Sequence, residues 1–410
     1  MSDELDRILI SSSQKDFKDR LRNLHWKLLS EARFGGFDED SQLNRQKVLD
    51  IVRSVARRGD SAVVEYTQKF DDVTLTPGQF RISPEDLKQA HDQVTPDLLE
   101  SIRRAIKNVR RYQEGIFTGN KYEHVGIKYT PLRRVGICVP GASAPLPSTV
   151  IMTAVPAQVA GVEEIAVVSP PRYNGTIHPV ILAVCHELGI TEVYRIGGAQ
   201  GVAALACEQG SIPKVDKIVG PGNKWVQTAK LIVFGYVDID SVAGPSEVLI
   251  IADGQANPAW VAADMLSQAE HDPGSAVVFT DSPELADKTL NELNKQVECL
   301  DRAEQATKCL KEFSAIVVFE DMRDVIAQAN EFAAEHLQIQ CGERSREIAD
   351  KIGNAGAIFI GDYTPVAVGD YWAGPSHTLP TGQTAKFSSA LTSNDFIKSI
   401  SIIEYDRKKL

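Results

Sequence analysis

The apolar positions of this chain fall into two textures. Up to about residue 130 they recur at helical spacing: Val48, Ile51, Val52 and Val55 keep one face, and the run stops at Gly59 as it would at a C-terminal cap. Ser83-Pro84 and Thr95-Pro96 each place a capping hydroxyl before a proline at the first helical position. The second pair opens a segment with Leu98, Ile102, Ala105, Ile106 and Val109 on one side. The spacing predicts a helical lead-in.

From Arg134 onward short apolar runs alternate with helical segments. Runs at 135–139, 164–168, 192–196 and 217–219 read as strands, and 148–160, 178–188, 200–208 and 224–233 as the helices around them. A second series follows, with strands at 248–252, 276–280, 315–319, 337–340 and 357–360 and helices at 258–271, 283–299, 322–334 and 343–352. Strands that are apolar throughout are buried on both faces, and repeated βαβ units make parallel sheets. The expected fold is therefore α/β, with two doubly wound, Rossmann-like domains with parallel sheets, a helical N-terminal segment and a short C-terminal tail beyond Pro380 where the pattern fades.

Charge and composition narrow the partners. A net charge of -11 argues against nucleic acid, whose binding needs clustered Lys and Arg to release counterions. The apolar runs have strand length, far short of the roughly 20 residues of a bilayer span, so no membrane partner is expected. Met1-Ser-Asp-Glu-Leu-Asp-Arg7 carries no export pattern, and the expected compartment is cytoplasmic. The six cysteines are widely spaced and contain no C-x-x-C pair, as expected of thiols in a reducing compartment.

The candidate chemistry lies at strand ends. Glycine-rich turns follow three strands, at Val139-Pro-Gly-Ala142, Ile196-Gly-Gly-Ala-Gln200 and Val219-Gly-Pro-Gly-Asn223, where a doubly wound sheet binds its ligand. None matches G-x-G-x-x-G, and each alone fits a tight loop. Gln268 and His271, three apart with Glu270 between them, share one face at the end of a helix; glutamine is an uncommon metal ligand, and in isolation the pair reads more readily as a solvated helix end. Glu335-His336 joins a carboxylate to an imidazole beside a strand, a pair able to divide proton transfer and water activation. Asp370 and His377 occupy a Gly- and Pro-rich loop, and Asp and His are ligand types that zinc accepts. The other histidines, His25, His91, His124, His178 and His186, read as solvated or satisfied core residues.

Taken in order, these segments resemble the histidinol dehydrogenase family along nearly the whole chain from about residue 30. The segments that carry the resemblance are 134–141, 196–205, 215–223, 243–249 and 266–271, together with Glu335-His336-Leu337, Gly369-Asp-Tyr371 and Ser376-His-Thr-Leu-Pro380. The resemblance implies a zinc- and NAD-dependent enzyme that oxidises L-histidinol to L-histidine through the aldehyde, in two hydride transfers, the last step of histidine biosynthesis. It implies Glu335 and His336 as the catalytic pair; Gln268, His271 and Asp370 as zinc ligands that also meet the substrate; and Ser246, His336 and His377 as substrate contacts. Gln200 and Asn223 are implied at NAD, with Cys138 at a position where the family commonly carries tyrosine. A homodimer is also implied.

The same resemblance sets expected boundaries: an N-terminal segment at 1–38, a zinc-bearing catalytic domain from 39–133 together with 246–385, an NAD-side domain at 134–245, and a C-terminal segment at 386–410. The family usually extends further, with a glutamate and a zinc-binding histidine reaching the partner's site, so the last segment reads as incomplete. Cys138 and this ending leave open two alternatives, a paralogous zinc/NAD dehydrogenase of another amino alcohol or diol, and a non-catalytic member.

Overall fold

The structure, a computed structural model, describes residues 5–32, 39–119, 126–141, 145–269, 271 and 274–408. His124, Ala142 and Glu270 lie outside the described residues, as does the side chain of His25. In chain order the strands are β1 (Leu9–Ser11), β2 (Ile127–Pro131), β3 (Arg134–Cys138), β4 (Glu164–Val168), β5 (Glu192–Tyr194), β6 (Lys217–Val219), β7 (Asp238–Ile239), β8 (Ser246–Ala252), β9 (Gly274–Thr280), β10 (Ala315–Val318), β11 (His336–Gln340), β12 (Ala357–Ile360) and β13 (Ile397–Ser401).

Two compact units form. One comprises Met1–Gly36, Ala243–Val368 and Leu379–Ala390; the other comprises Phe37–Val242, Gly369–Thr378 and Leu391–Leu410. The first holds a six-stranded sheet ordered β1-β10-β9-β8-β11-β12, parallel throughout. The second holds a five-stranded parallel sheet ordered β5-β4-β3-β6-β7 and an antiparallel ribbon of β13 with β2. This is the expected pair of doubly wound, Rossmann-like domains.

The strand sequences explain why both faces are covered. Along β8, Val248, Ile250 and Ala252 enter one core cluster while Leu249 and Ile251 enter another. In the second unit Val135 and Ile137 of β3 face one cluster, and Cys138 faces the opposite one. Side chains alternate across a strand, so a run that is apolar at every position is soluble only with helices on both sides.

Three expectations need correction. Residues 39–133 do not join the six-stranded unit: the helix Glu39–Arg58 packs on Gly198–Ala206 and Lys224–Val233, Pro84–Asp92 on Pro179–Glu187, and Pro96–Ile116 on Pro147–Ala160, all in the five-stranded unit. An apolar stripe shows that a helix covers something without showing which sheet. The N-terminal segment is not wholly helical either, because Leu9–Ser11 pairs in parallel with Ile316–Val318 at the sheet edge. The C-terminal segment, where periodicity fades, returns as β13, with Leu391 and Phe396 buried in the second unit's core. A helix at Ala303–Phe313 was also unforeseen.

Candidate active site

In the six-stranded unit the candidates gather at the amino ends of the strands, the opposite end from the usual ligand crevice of a doubly wound sheet. Ser246 opens β8, His336 opens β11, and these strands are neighbours with His336 opposite Val248. A helix returning between parallel strands finishes at this same end, so the C-terminus of Pro258–Ala269 brings Gln268 and His271 there.

The pair Glu335–His336 is built into a reciprocal lattice with Glu247. Glu335 Oε2 accepts the Ser246 hydroxyl at 2.9 Å and the Glu247 N–H at 2.9 Å. Glu247 Oε1 accepts in return from the Glu335 N–H at 3.2 Å and the Gly382 N–H at 3.1 Å. His336 Nδ1 lies 3.1 Å from the Glu247 carbonyl oxygen. A carbonyl can only accept, so Nδ1 carries the proton and the lone pair of the neutral ring belongs to Nε2. The side chains of Glu335 and His336 are both buried.

Glu247 escaped the sequence reading, although a charged residue inside an otherwise apolar strand was the available signal. Its carboxyl is pushed up to about 8, first by burial and then by the negative charge of Glu335. Between its ordinary value of 4.5 and about 8 the folded protein holds a proton that the unfolded chain has released. Stability from this group is therefore complete below 4.5 and is lost as pH rises through about 8. Glu247→Gln removes the titration. Its thermal midpoint is expected to fall less between mildly acidic and mildly alkaline buffer than that of the wild type, and identical slopes would refute the assignment.

Gln268 is buried and His271 exposed, with Gln268 Nε2 3.5 Å from His271 Nδ1. Gly274, the first residue of β9, makes this turn possible: a Cβ there would stand 2.3 Å from the Gln268 carbonyl oxygen and 3.0 Å from the His271 Cβ. The amide oxygen and the imidazole are both donors to zinc, and the negative end of the helix dipole favours a cation beside them. This part of the implied ligand set fits the metal. Asp370, in the short helix Ala367–Tyr371, and His377 both lie in the segment Gly369–Thr378 of the other unit, where Ser376 Oγ donates to the Met152 carbonyl at 3.1 Å.

In the five-stranded unit Cys138, Gln200 and Asn223 lie at or just past the carboxyl ends of β3, β5 and β6. Gln200 is 1% exposed; its Nε2 lies 3.4 Å from Asp71 Oδ2, while its Oε1 has no hydrogen-bond partner among the described residues. A buried orphan acceptor fits a donor from a bound ligand. Asn223 caps the helix Lys224–Val233, accepting from the Trp225 and Val226 N–H groups at 3.2 and 3.3 Å. Burial pushes the Cys138 thiol up to about 12, leaving it neutral. The remaining histidines with described contacts serve the structure: His91 meets Glu187 at 2.5 Å, His186 packs on the His91 ring, and His178 caps a helix.

A parallel α/β chain with an imidazole beside an ordered carboxylate on one sheet, and glycine-rich strand ends on a second, fits an oxidoreductase of the dehydrogenase class, and the comparisons with known proteins show that class. The family model for histidinol dehydrogenase matches residues 37–410. The histidinol dehydrogenase of Rhodopirellula baltica is 48% identical over 366 residues, covering 88% of this chain and 79% of its own length. That of Synechococcus is 44% identical over 380 residues, covering 91% and 87%. The crystal structure of histidinol dehydrogenase from Elizabethkingia anophelis superposes with a TM-score of 0.87 at 34% identity, covering 98% of this chain and 91% of that one. The chain belongs to the histidinol dehydrogenase family. Among the described residues no helix is long and apolar enough to cross a membrane.

Proposed function

We propose that this chain oxidises L-histidinol to L-histidine through L-histidinaldehyde, as a cytoplasmic homodimer that uses zinc and NAD. The observation that carries the reading is the Nδ1–H of His336 donated to the Glu247 carbonyl, which assigns the basic lone pair to Nε2 beside a carboxylate held by Ser246.

Gln268, His271 and Asp370 would hold zinc, with Gln200, Asn223 and the strand end at Cys138 at the dinucleotide. When bound, zinc supplies a fixed anchor for the substrate's nitrogens and NAD accepts the hydride. His336 Nε2 takes the hydroxyl proton as the alcohol becomes aldehyde, and its fixed tautomer means the ring need not reorganise. Glu335, oriented by the Ser246 hydroxyl and the Glu247 N–H, takes a proton from the water that hydrates the aldehyde before the second oxidation. Ser246 and His377 complete the substrate contacts by the family resemblance.

The test is NADH formation by the purified chain with NAD, L-histidinol and zinc, with histidine measured alongside. Two NADH per histidine are expected; chelation should abolish turnover and added zinc restore it. A zinc-loaded, folded enzyme that forms no NADH from histidinol would overturn the reading. Size-exclusion chromatography with light scattering checks the dimer.

A further inference from the structure

Buried lysine is rare, and the helix Lys224–Val233 places one, Lys230, on its apolar face between Val226, Ala229 and Val233. Its partner is Asp240, which follows β7; the two side chains are 1% and 4% exposed. They are not simply paired with one another. Asp240 Oδ2 accepts the Gly220 N–H at 2.7 Å, and Lys230 Nζ donates to the Gly220 carbonyl oxygen at 3.1 Å while also binding Asp240 Oδ1. Asp240 Oδ1 further accepts the Ser241 N–H at 2.7 Å.

Both polar groups of Gly220 are thus held by one buried ion pair. Gly220 has φ +105, and a Cβ there would stand 2.3 Å from the Cys138 carbonyl oxygen, so this peptide is pressed against the end of β3 in a conformation that side chains rarely adopt. Gly220 is the first residue of the turn Gly220-Pro-Gly-Asn223, whose last residue caps the helix that carries Lys230. The turn is pinned at both ends, once by a cap and once by charge. A buried pair gives little net stability over an apolar packing of similar volume, whereas it fixes direction and spacing.

We infer that Lys230 and Asp240 are positioning residues for the dinucleotide: they set the path of the Gly220–Asn223 turn against β3, and so the place of Asn223 and the strand end at Cys138. This rests on the reading that the five-stranded unit binds NAD. Neither side chain reaches a bound ligand itself; both act through the backbone of Gly220.

The test compares wild type, Lys230→Met, Lys230→Arg and the double variant Lys230→Met with Asp240→Asn. The double variant removes the stranded charge and keeps an acceptor for the Gly220 N–H, so it serves if Lys230→Met does not fold. For each, NAD binding is titrated directly and KM is measured separately for NAD and histidinol. The expected result is a rise of about tenfold or more in Kd and KM for NAD in Lys230→Met and the double variant, with KM for histidinol and the midpoint of thermal unfolding of the double variant close to wild type, and partial recovery in Lys230→Arg. Folded variants with NAD affinity unchanged, or with both KM values raised equally, would overturn the inference. Failure of the wild type to bind NAD would instead overturn the cofactor reading, and the inference with it.

Discussion

His336→Asn is expected to lower kcat by about a hundredfold to ten-thousandfold, the range for loss of a general base. KM for NAD should stay within about twofold, because His336 opens a strand of the six-stranded unit while the glycine-rich strand ends lie on the other sheet. Asparagine can still donate to the Glu247 carbonyl that His336 now meets at 3.1 Å, so the start of β11 keeps its anchor. What disappears is the Nε2 lone pair. Single-turnover NADH formation with saturating histidinol and NAD measures the loss at the chemical step, and a variant that retains wild-type kcat would remove His336 from the mechanism.

The second large effect falls on folding. Arg134, at the first residue of β3, is 5% exposed; its Nη1 meets Glu164 at 2.7 Å and Glu192 at 2.9 Å, its Nη2 meets Glu192 at 2.6 Å, and its Nε donates to the Pro213 carbonyl at 3.3 Å. One guanidinium therefore ties together the amino ends of β3, β4 and β5. Its presence holds both the Glu164 and Glu192 carboxyls below the usual range, chiefly through the side-chain hydrogen bonds, against the cost of burial. Carboxyls shifted down contribute stability above their ordinary value and lose it as pH falls through the folded one.

Arg134→Met keeps much of the stem and removes the charge, leaving two carboxylates without their cation. A loss of about 3–5 kcal/mol is typical of breaking a buried pair on one side, and the partial exposure of Glu164, 33%, places the expectation at the lower end. Urea unfolding should show a lower midpoint and a shallower dependence on acid between mildly acidic and strongly acidic buffer than wild type. Near-equal midpoints would mean that water replaces the guanidinium at little cost.

The α/β architecture was legible because β8 runs apolar without a break from Val248 to Ala252 and β9 from Ala276 to Phe279, which is the mark of strands covered on both faces. Glu335 and His336 stood out as a carboxylate beside an imidazole at the start of a strand, and their proposed roles came from the family resemblance, not from the pattern. Glu247 and Lys230 were not legible, because each sits where the pattern demands an apolar residue and its partners, Glu335 and Asp240, become neighbours only when strands align. The same limit explains the misplacement of residues 39–133. Periodicity reports the face a helix buries, and the identity of the sheet beneath depends on connections that the spacing of Leu and Val does not encode. Gln268 and His271 could be placed on one helix end, while the role of Gly274 in turning that end against β9 depends on a close backbone approach that residue spacing does not encode.

The edge position of β1 has a consequence for biosynthesis. Leu9–Ser11 hydrogen-bonds to β10 on one side alone, and β10 is translated ~300 residues later. At a ribosomal rate of about 5–20 residues per second, the emerging chain carries Leu9 and Ile10 unsheltered for about 15–60 s. Ile10 ends 5% exposed beneath that edge. During synthesis it is a strand without a template, and the six-stranded sheet closes only after β1 and β10 have both left the exit tunnel.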